Sequence, residues 1–228
     1  VNKKLVFYSE GSGFYKYYEA LINSLLKKSN ITIHYITNDP DDAVFELAKS
    51  NVKIKPYYIG QKKLITLMMK MDADIVAMTT PDLDNFYIKR SLVRKDVEYI
   101  YVPHDMMSVH MGFRKASLDH FDTIFCTGEH VAREVRKTEE VYSLPQKTLV
   151  KFGYPLEKKL EKAYEEKTLA FIRIDDLKML YMYKYLLAQN NVDLCKRNIN
   201  CTKYLERREY YERMIEFFVK DIKDKEMQ

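Results

Sequence analysis

The sequence predicts a Rossmann-like α/β domain, a mostly parallel sheet with helices on both faces, followed by a helical appendage. Three observations predict it. Short apolar runs alternate with segments of helical period through the first 155 residues. Gly, Asn, Asp and Pro gather where those runs end. The alternation then stops, and no further strand pattern recurs after Pro155. Short runs alternating with helices favour parallel strands buried on both faces. The expected division is 1–160 for the sheet domain and 161–228 for the appendage.

Each element has its own signal. Residues 5–8 (LVFY) read as a buried strand, broken by Gly11-Ser12-Gly13. Residues 15–28 carry Tyr18, Leu21, Ile22 and Leu25 at helical spacing. Residues 31–36 are β-branched and end at Asn38-Asp39-Pro40. Residues 41–50 read as a short helix, 52–59 as a strand closed by Gly60, and 62–71 as a helix. Residues 75–78 form a short strand before Thr79-Thr80-Pro81-Asp82. A strand over 99–102 leads to His104. A strand over 123–126 ends at Gly128, before a helix over 129–140. Residues 149–152 are the last strand, stopped by Gly153-Tyr154-Pro155. Beyond it, 177–187 and 204–225 read as apolar and amphipathic helices.

Composition narrows the classes. Hydrophobic residues make up 46% of the 228, enough to bury a core. The net charge is +5 and the excess is spread along the chain, so no nucleic acid is expected as a partner. Cys126 reads as a buried thiol, and Cys195 and Cys201 lack zinc-site spacing, so no metal site is expected. The cysteine pattern suits a reducing cytoplasm. No run nears the ~20 apolar residues of a membrane span, although a mildly basic chain is compatible with peripheral association at an inner membrane face. No Walker A, HExxH or Gly-x-Ser-x-Gly motif is present.

The candidate site residues follow strand ends, where α/β sheets bind ligands. Glu10 and Gly11 follow the first run. The turn is either a plain turn with a solvated acid or a place where Glu10 meets a substrate hydroxyl. Thr80 and Asp82 follow the fourth run, where the simple reading is a helix capped by Thr80 with Asp82 on its dipole. Lys89 lies just beyond and would attract an anion. His104 sits just past the fifth run, placed to act as a general base on a hydroxyl. Ser108 is close by, and Arg114 is a candidate phosphate ligand. His110 and His120 are poorer candidates. His130 follows Gly128-Glu129 and reads as a surface residue near a helix start.

Taken together, the runs LVFYSEG, HYITNDPDD, MTTPDLDNFYIKRS, EYIYVPHDMMSVHMGFRKASLDHFDTIFCTGEHVAREVRKTEE and LVKFGYP resemble the CDP-glycerol glycerophosphotransferase family of teichoic-acid and capsule polymerases, over about residues 4–160. The resemblance implies the N-terminal half of a GT-B fold, which faces the acceptor. It implies a CDP-activated donor as substrate, no separate cofactor, and a polymer or lipid-linked acceptor. It places the catalytic His of a His-Gly-Thr-Pro-Leu-Lys motif at His104, where this chain reads His104-Asp105-Met106-Met107-Ser108. The family's donor domain has no counterpart in 161–228, so the chain alone is expected to be inactive. Two other readings stay open. One is a non-catalytic acceptor-binding or scaffolding module, forming a homo-oligomer through its helical tail. The other is a GT-B glycosyltransferase or epimerase on the same scaffold.

Overall fold

A computed structural model describes residues 3–106 and 108–159. The expected helices over 177–187 and 204–225, the appendage, Cys195 and Cys201 lie outside the described residues. The described residues form seven strands: β1 (Leu5–Ser9), β2 (Ile33–Thr37), β3 (Ile54–Tyr58), β4 (Ile75–Met78), β5 (Glu98–Tyr101), β6 (Thr123–Cys126) and β7 (Thr148–Lys151). Their α-helices are α1 (Tyr15–Lys28), α2 (Val44–Ser50), α3 (Gln61–Met69), α4 (Val109–Gly112) and α5 (Glu129–Tyr142).

All the strand pairs are parallel, in the order β3-β2-β1-β4-β5-β6-β7. The expected Rossmann-like fold is therefore present. Along β1, side chains alternate between two cores as the strand period demands. Val6 and Tyr8 join Leu64 and Met68 of α3 and Val131 and Val135 of α5. Leu5 and Phe7 join Tyr18 and Ile22 of α1 and Val44 of α2. Helices thus cover both faces. Pro56 lies in β3, an edge strand, where a missing N–H is tolerated. Cys126 is buried as expected, and that burial pushes its thiol up to about 11.

The order reverses between β1 and β4. Chain connections leave these two strands in opposite directions there, which opens a crevice beyond their carboxyl ends. One residue shapes the split. The Tyr18 hydroxyl donates to the Tyr8 carbonyl at 2.6 Å and accepts from the Thr79 N–H at 2.7 Å. Tyr8 pairs with Met78, so the phenol enters the ladder one step past the last paired residues. It satisfies the backbone groups of both strands while holding them apart. On the flank, the Tyr8 hydroxyl donates to Asn38 Oδ1 at 2.6 Å, and Asn38 Nδ2 donates to the Ile59 carbonyl at 2.7 Å. The exits of β1, β2 and β3 are tied into one edge.

The helix expected after Thr80 is not formed; residues 81–92 are turns and irregular chain. The reason is local. Asp82 and Asp84 take left-handed backbone angles, φ 63° and 64°, which a right-handed first turn excludes. The Asp82 N–H donates instead to the Ser117 carbonyl at 2.8 Å, and Asn85 Nδ2 to the Ala116 carbonyl at 3.0 Å. The segment after β4 is thereby bonded to the segment between α4 and β6. Thr80 does not cap a helix.

Tyr18→Phe keeps the ring and removes the hydroxyl, leaving the Thr79 N–H and the Tyr8 carbonyl without their partner. The expected loss is about 1–3 kcal/mol for each orphaned buried group. Urea denaturation of Tyr18→Phe beside a Tyr15→Phe control, expected within about 0.5 kcal/mol of the parent, checks it.

Candidate functional site

His104 lies just past β5, on the same carboxyl edge as the crevice. Glu10 follows β1, Thr80 follows β4 and His104 follows β5. These three strands are adjacent, so the fold brings three candidate positions to one edge.

The imidazole is enclosed by aromatic rings. Phe14 and Tyr17 approach from the start of α1, with ring centroids at 6.0 and 6.1 Å. Tyr101 and Phe113 approach from its own side, at 6.4 and 6.3 Å. Three of the four contacts are edge-on, a favoured aromatic geometry. The His104 Nδ1 is 3.2 Å from the Tyr101 hydroxyl. Burial holds that phenol well above its ordinary pKa, so it stays neutral as a hydrogen-bonding partner. The Asp105 carboxylate lies 3.8 Å from Nε2, beyond hydrogen-bond reach. Tyr101 meets Nδ1, and among the described residues no hydrogen bond engages Nε2, the ring nitrogen left for a ligand. The His104 side chain is 28% exposed, so the ring is reachable.

The loop carrying His104 is gripped by α5. His130 is hydrogen-bonded to the backbone of Met106, and Glu134 Oε2 accepts the His110 N–H at 3.1 Å. Ser108 caps α4, its hydroxyl accepting from the Met111 N–H at 3.2 Å. The candidate hydroxyl of Ser108 is thus engaged in holding the loop. His130 sits at the start of α5 as expected, half-buried there. Its Nε2 is buried without a partner among the described residues, and burial lowers its pKa, with the Arg133 charge adding to that.

The remaining candidates divide. Glu10 is exposed at the crevice. Tyr87 is raised by partial burial and then by the charges of Glu10 and Asp82, which puts both acids in reach of one phenol. Gly11 is extended and a Cβ there would meet nothing within 4 Å, so neither conformation nor crowding requires a glycine. The Thr80 hydroxyl is buried with no partner among the described residues, a group left for a ligand at the end of β4. Lys89 donates to the Asp84 carbonyl at 2.8 Å and braces its own turn. Arg114 lies over the Phe86 ring at 5.5 Å, and it lines a cavity against α5 together with Phe113. The two cationic candidates are thus engaged by the backbone of the turn at Asp84 and by the Phe86 ring.

Sequence reasoning missed the rings around His104. Phe14 and Tyr17 are 90 and 87 positions away in the chain, and only the sheet order brings them near. Asp105 was visible beside His104, without any signal of the ring nitrogen it would face. Among the described residues no group of three or more His, Cys, Asp or Glu is arranged to hold a metal ion. Compared with protein-family models, with curated proteins and with solved structures, the chain matches none.

The half-buried imidazole of His130 sets a pH dependence. Its folded-state pKa lies below 6.5, so the unfolded chain takes up the proton first as pH falls. Stability is then lost on moving down from pH 7 through the range below 6.5. The pKa of His34 is also lowered, chiefly by its partial burial, and acts in the same direction. Urea midpoints at pH 7 and pH 5 are expected to fall in the parent and to fall less in His130→Asn.

Proposed function

We propose that this domain is the acceptor-side half of a glycerophosphotransferase-like enzyme, with His104 as the general base. The observation that carries the reading is the setting of His104: a strand-end imidazole, held at Nδ1 by Tyr101, with Nε2 open and Asp105 beside it. This is the arrangement of a base whose second nitrogen is oriented by a neighbour.

In the tautomer with the proton on Nδ1, shared with the Tyr101 oxygen, Nε2 offers its lone pair. An acceptor hydroxyl gives its proton to Nε2, and its oxygen attacks the β-phosphorus of a CDP-glycerol-type donor. The bond from that phosphorus to the bridging oxygen breaks, and CMP leaves with the oxygen. The proton then passes from the ring to solvent. The aromatic rings exclude water from the ring face and fix its orientation, which is where positioning adds to rate. Glu10, Asp82 and the Thr80 hydroxyl would hold other hydroxyls of the acceptor. The donor's phosphates require cations that the strand-end acids do not supply, so they would be bound by a facing domain. Among the described residues no helix is long and apolar enough to cross a membrane, and a lipid-linked acceptor would be met at a surface.

The test is CMP release from CDP-glycerol by the intact gene product. His104→Ala is expected to slow transfer by roughly 10²–10⁴-fold. Tyr101→Phe is expected to lower kcat less, because it removes only the partner that orients Nδ1. Unchanged turnover in His104→Ala would remove the base from the mechanism.

A further inference from the structure

The two faces of the sheet are unequally covered. On one face, Val76 of β4, Tyr99 of β5 and Ile124 of β6 are fully buried, in the core shared with α3 and α5. Their chain neighbours point to the other face, as the strand period requires. There Ile75, Ile100 and Phe125 are only half-buried. Val150 pairs with Phe125 across the ladder and is half-buried too. Phe152 lies against the Phe125 ring, with centroids 4.7 Å apart, and is also half-buried. Among the described residues, α1 and α2 are the helices that contribute to the core on this face, and their Tyr18, Ile22 and Val44 gather with side chains of β1, β2 and β3. The part over β4 to β7 is an apolar surface. A parallel sheet is normally buried on both faces, so this surface calls for a cover.

The course of the chain after β7 points to the cover. The Glu157 N–H donates to the Tyr154 carbonyl at 3.1 Å, and Lys159 Nζ reaches Glu19 of α1 at 3.0 Å. Glu19 belongs to a helix that packs on this same face. The chain therefore passes from the β7 edge onto the half-covered side, where Lys159 is the last described residue. The stretch 160–176 spans up to roughly 55 Å at ~3.3 Å per residue, ample for a surface whose strands lie ~4.8 Å apart. Residues 177–187 come next and read LKMLYMYKYLL, apolar and aromatic around most of a helical circumference. A segment of that composition is suited to burial on more than one side. As a helix it would be about 16 Å long, close to the length of the strands beneath. Residues 204–225 carry one apolar stripe among many charges, a pattern for one-sided contact.

We infer that the 177–187 segment packs on the α1-side face of its own chain, over Ile75, Ile100, Phe125, Val150 and Phe152. A second copy competes poorly for the same surface, because a tethered segment is present at an effective concentration on the order of millimolar. The sheet domain then runs through residue 187, and this part of the tail belongs to its core. The inference does not depend on the transferase reading.

Photo-crosslinking of the full chain tests it. Benzoylphenylalanine replaces Phe125 in one variant. In a second it replaces Val150, an edge-strand position that keeps the test decisive should the first variant fail to fold. After irradiation, the main linked product is expected at the mass of a single chain. Tryptic mass spectrometry is expected to find links from either probe to peptides 179–184 or 185–196. The same probe in place of Val52, 82% exposed beyond α2, is expected to give at least tenfold less of those links. A main link to 204–225 or to any other peptide, a main product of twice the chain mass, equal linking from Val52, or no link from a folded variant overturns the inference.

Discussion

The Tyr18 hydroxyl is the interaction on which the rest of the described structure turns. A parallel sheet that reverses its winding must separate a pair of neighbouring strands, and the separation exposes an N–H and a carbonyl in a buried place. Tyr18 supplies both missing partners from α1, at 2.6 and 2.7 Å, and it is itself fully buried. The ring that brings the hydroxyl there packs edge-on against Phe7 and Tyr35, so the wedge belongs to the core beneath β1 and β2. Next to it in the chain Tyr17, and one turn earlier Phe14, face His104. The same helix therefore opens the crevice and forms one wall of the candidate site.

Opposite that wall, α5 sets the loop of the base. His130 and Glu134 hold Met106 and His110, two points on either side of the Ser108 cap. The two helices act on His104 from opposite flanks, and Phe113 closes the space between. Charge is divided around this ring. Acids and phenols gather toward β1 and β4, where the charges of Glu10 and Asp82 both act on the Tyr87 phenol. Cations gather behind Phe113, where Lys147, Arg114 and Lys115 line the cavity.

Much of the fold is legible in the sequence because it rests on periodicity. Leu5 to Tyr8 reads as a buried strand, and the stripe of Tyr18, Ile22 and Leu25 marks the face of α1; both are local facts. The segment after Thr80 departs from its local signal for an equally physical reason. Thr-Pro-Asp is good helix-cap chemistry, yet Asp82 is bonded to Ser117, a partner 35 positions on that no local pattern contains. The site is half legible. His104 is found by its place after a strand. The Tyr101 contact to Nδ1 and the rings from α1 follow from sheet order and packing, which the sequence encodes without displaying.

The proposed chemistry depends on which nitrogen of His104 carries the proton. Ring ¹⁵N shifts and long-range ¹H–¹⁵N couplings of the imidazole at neutral pH measure this directly. A base poised toward an acceptor requires the proton on Nδ1, shared with Tyr101, and an unprotonated Nε2. If instead the proton rests on Nε2, facing Asp105, His104 is a hydrogen-bond donor, and its role as general base is contradicted.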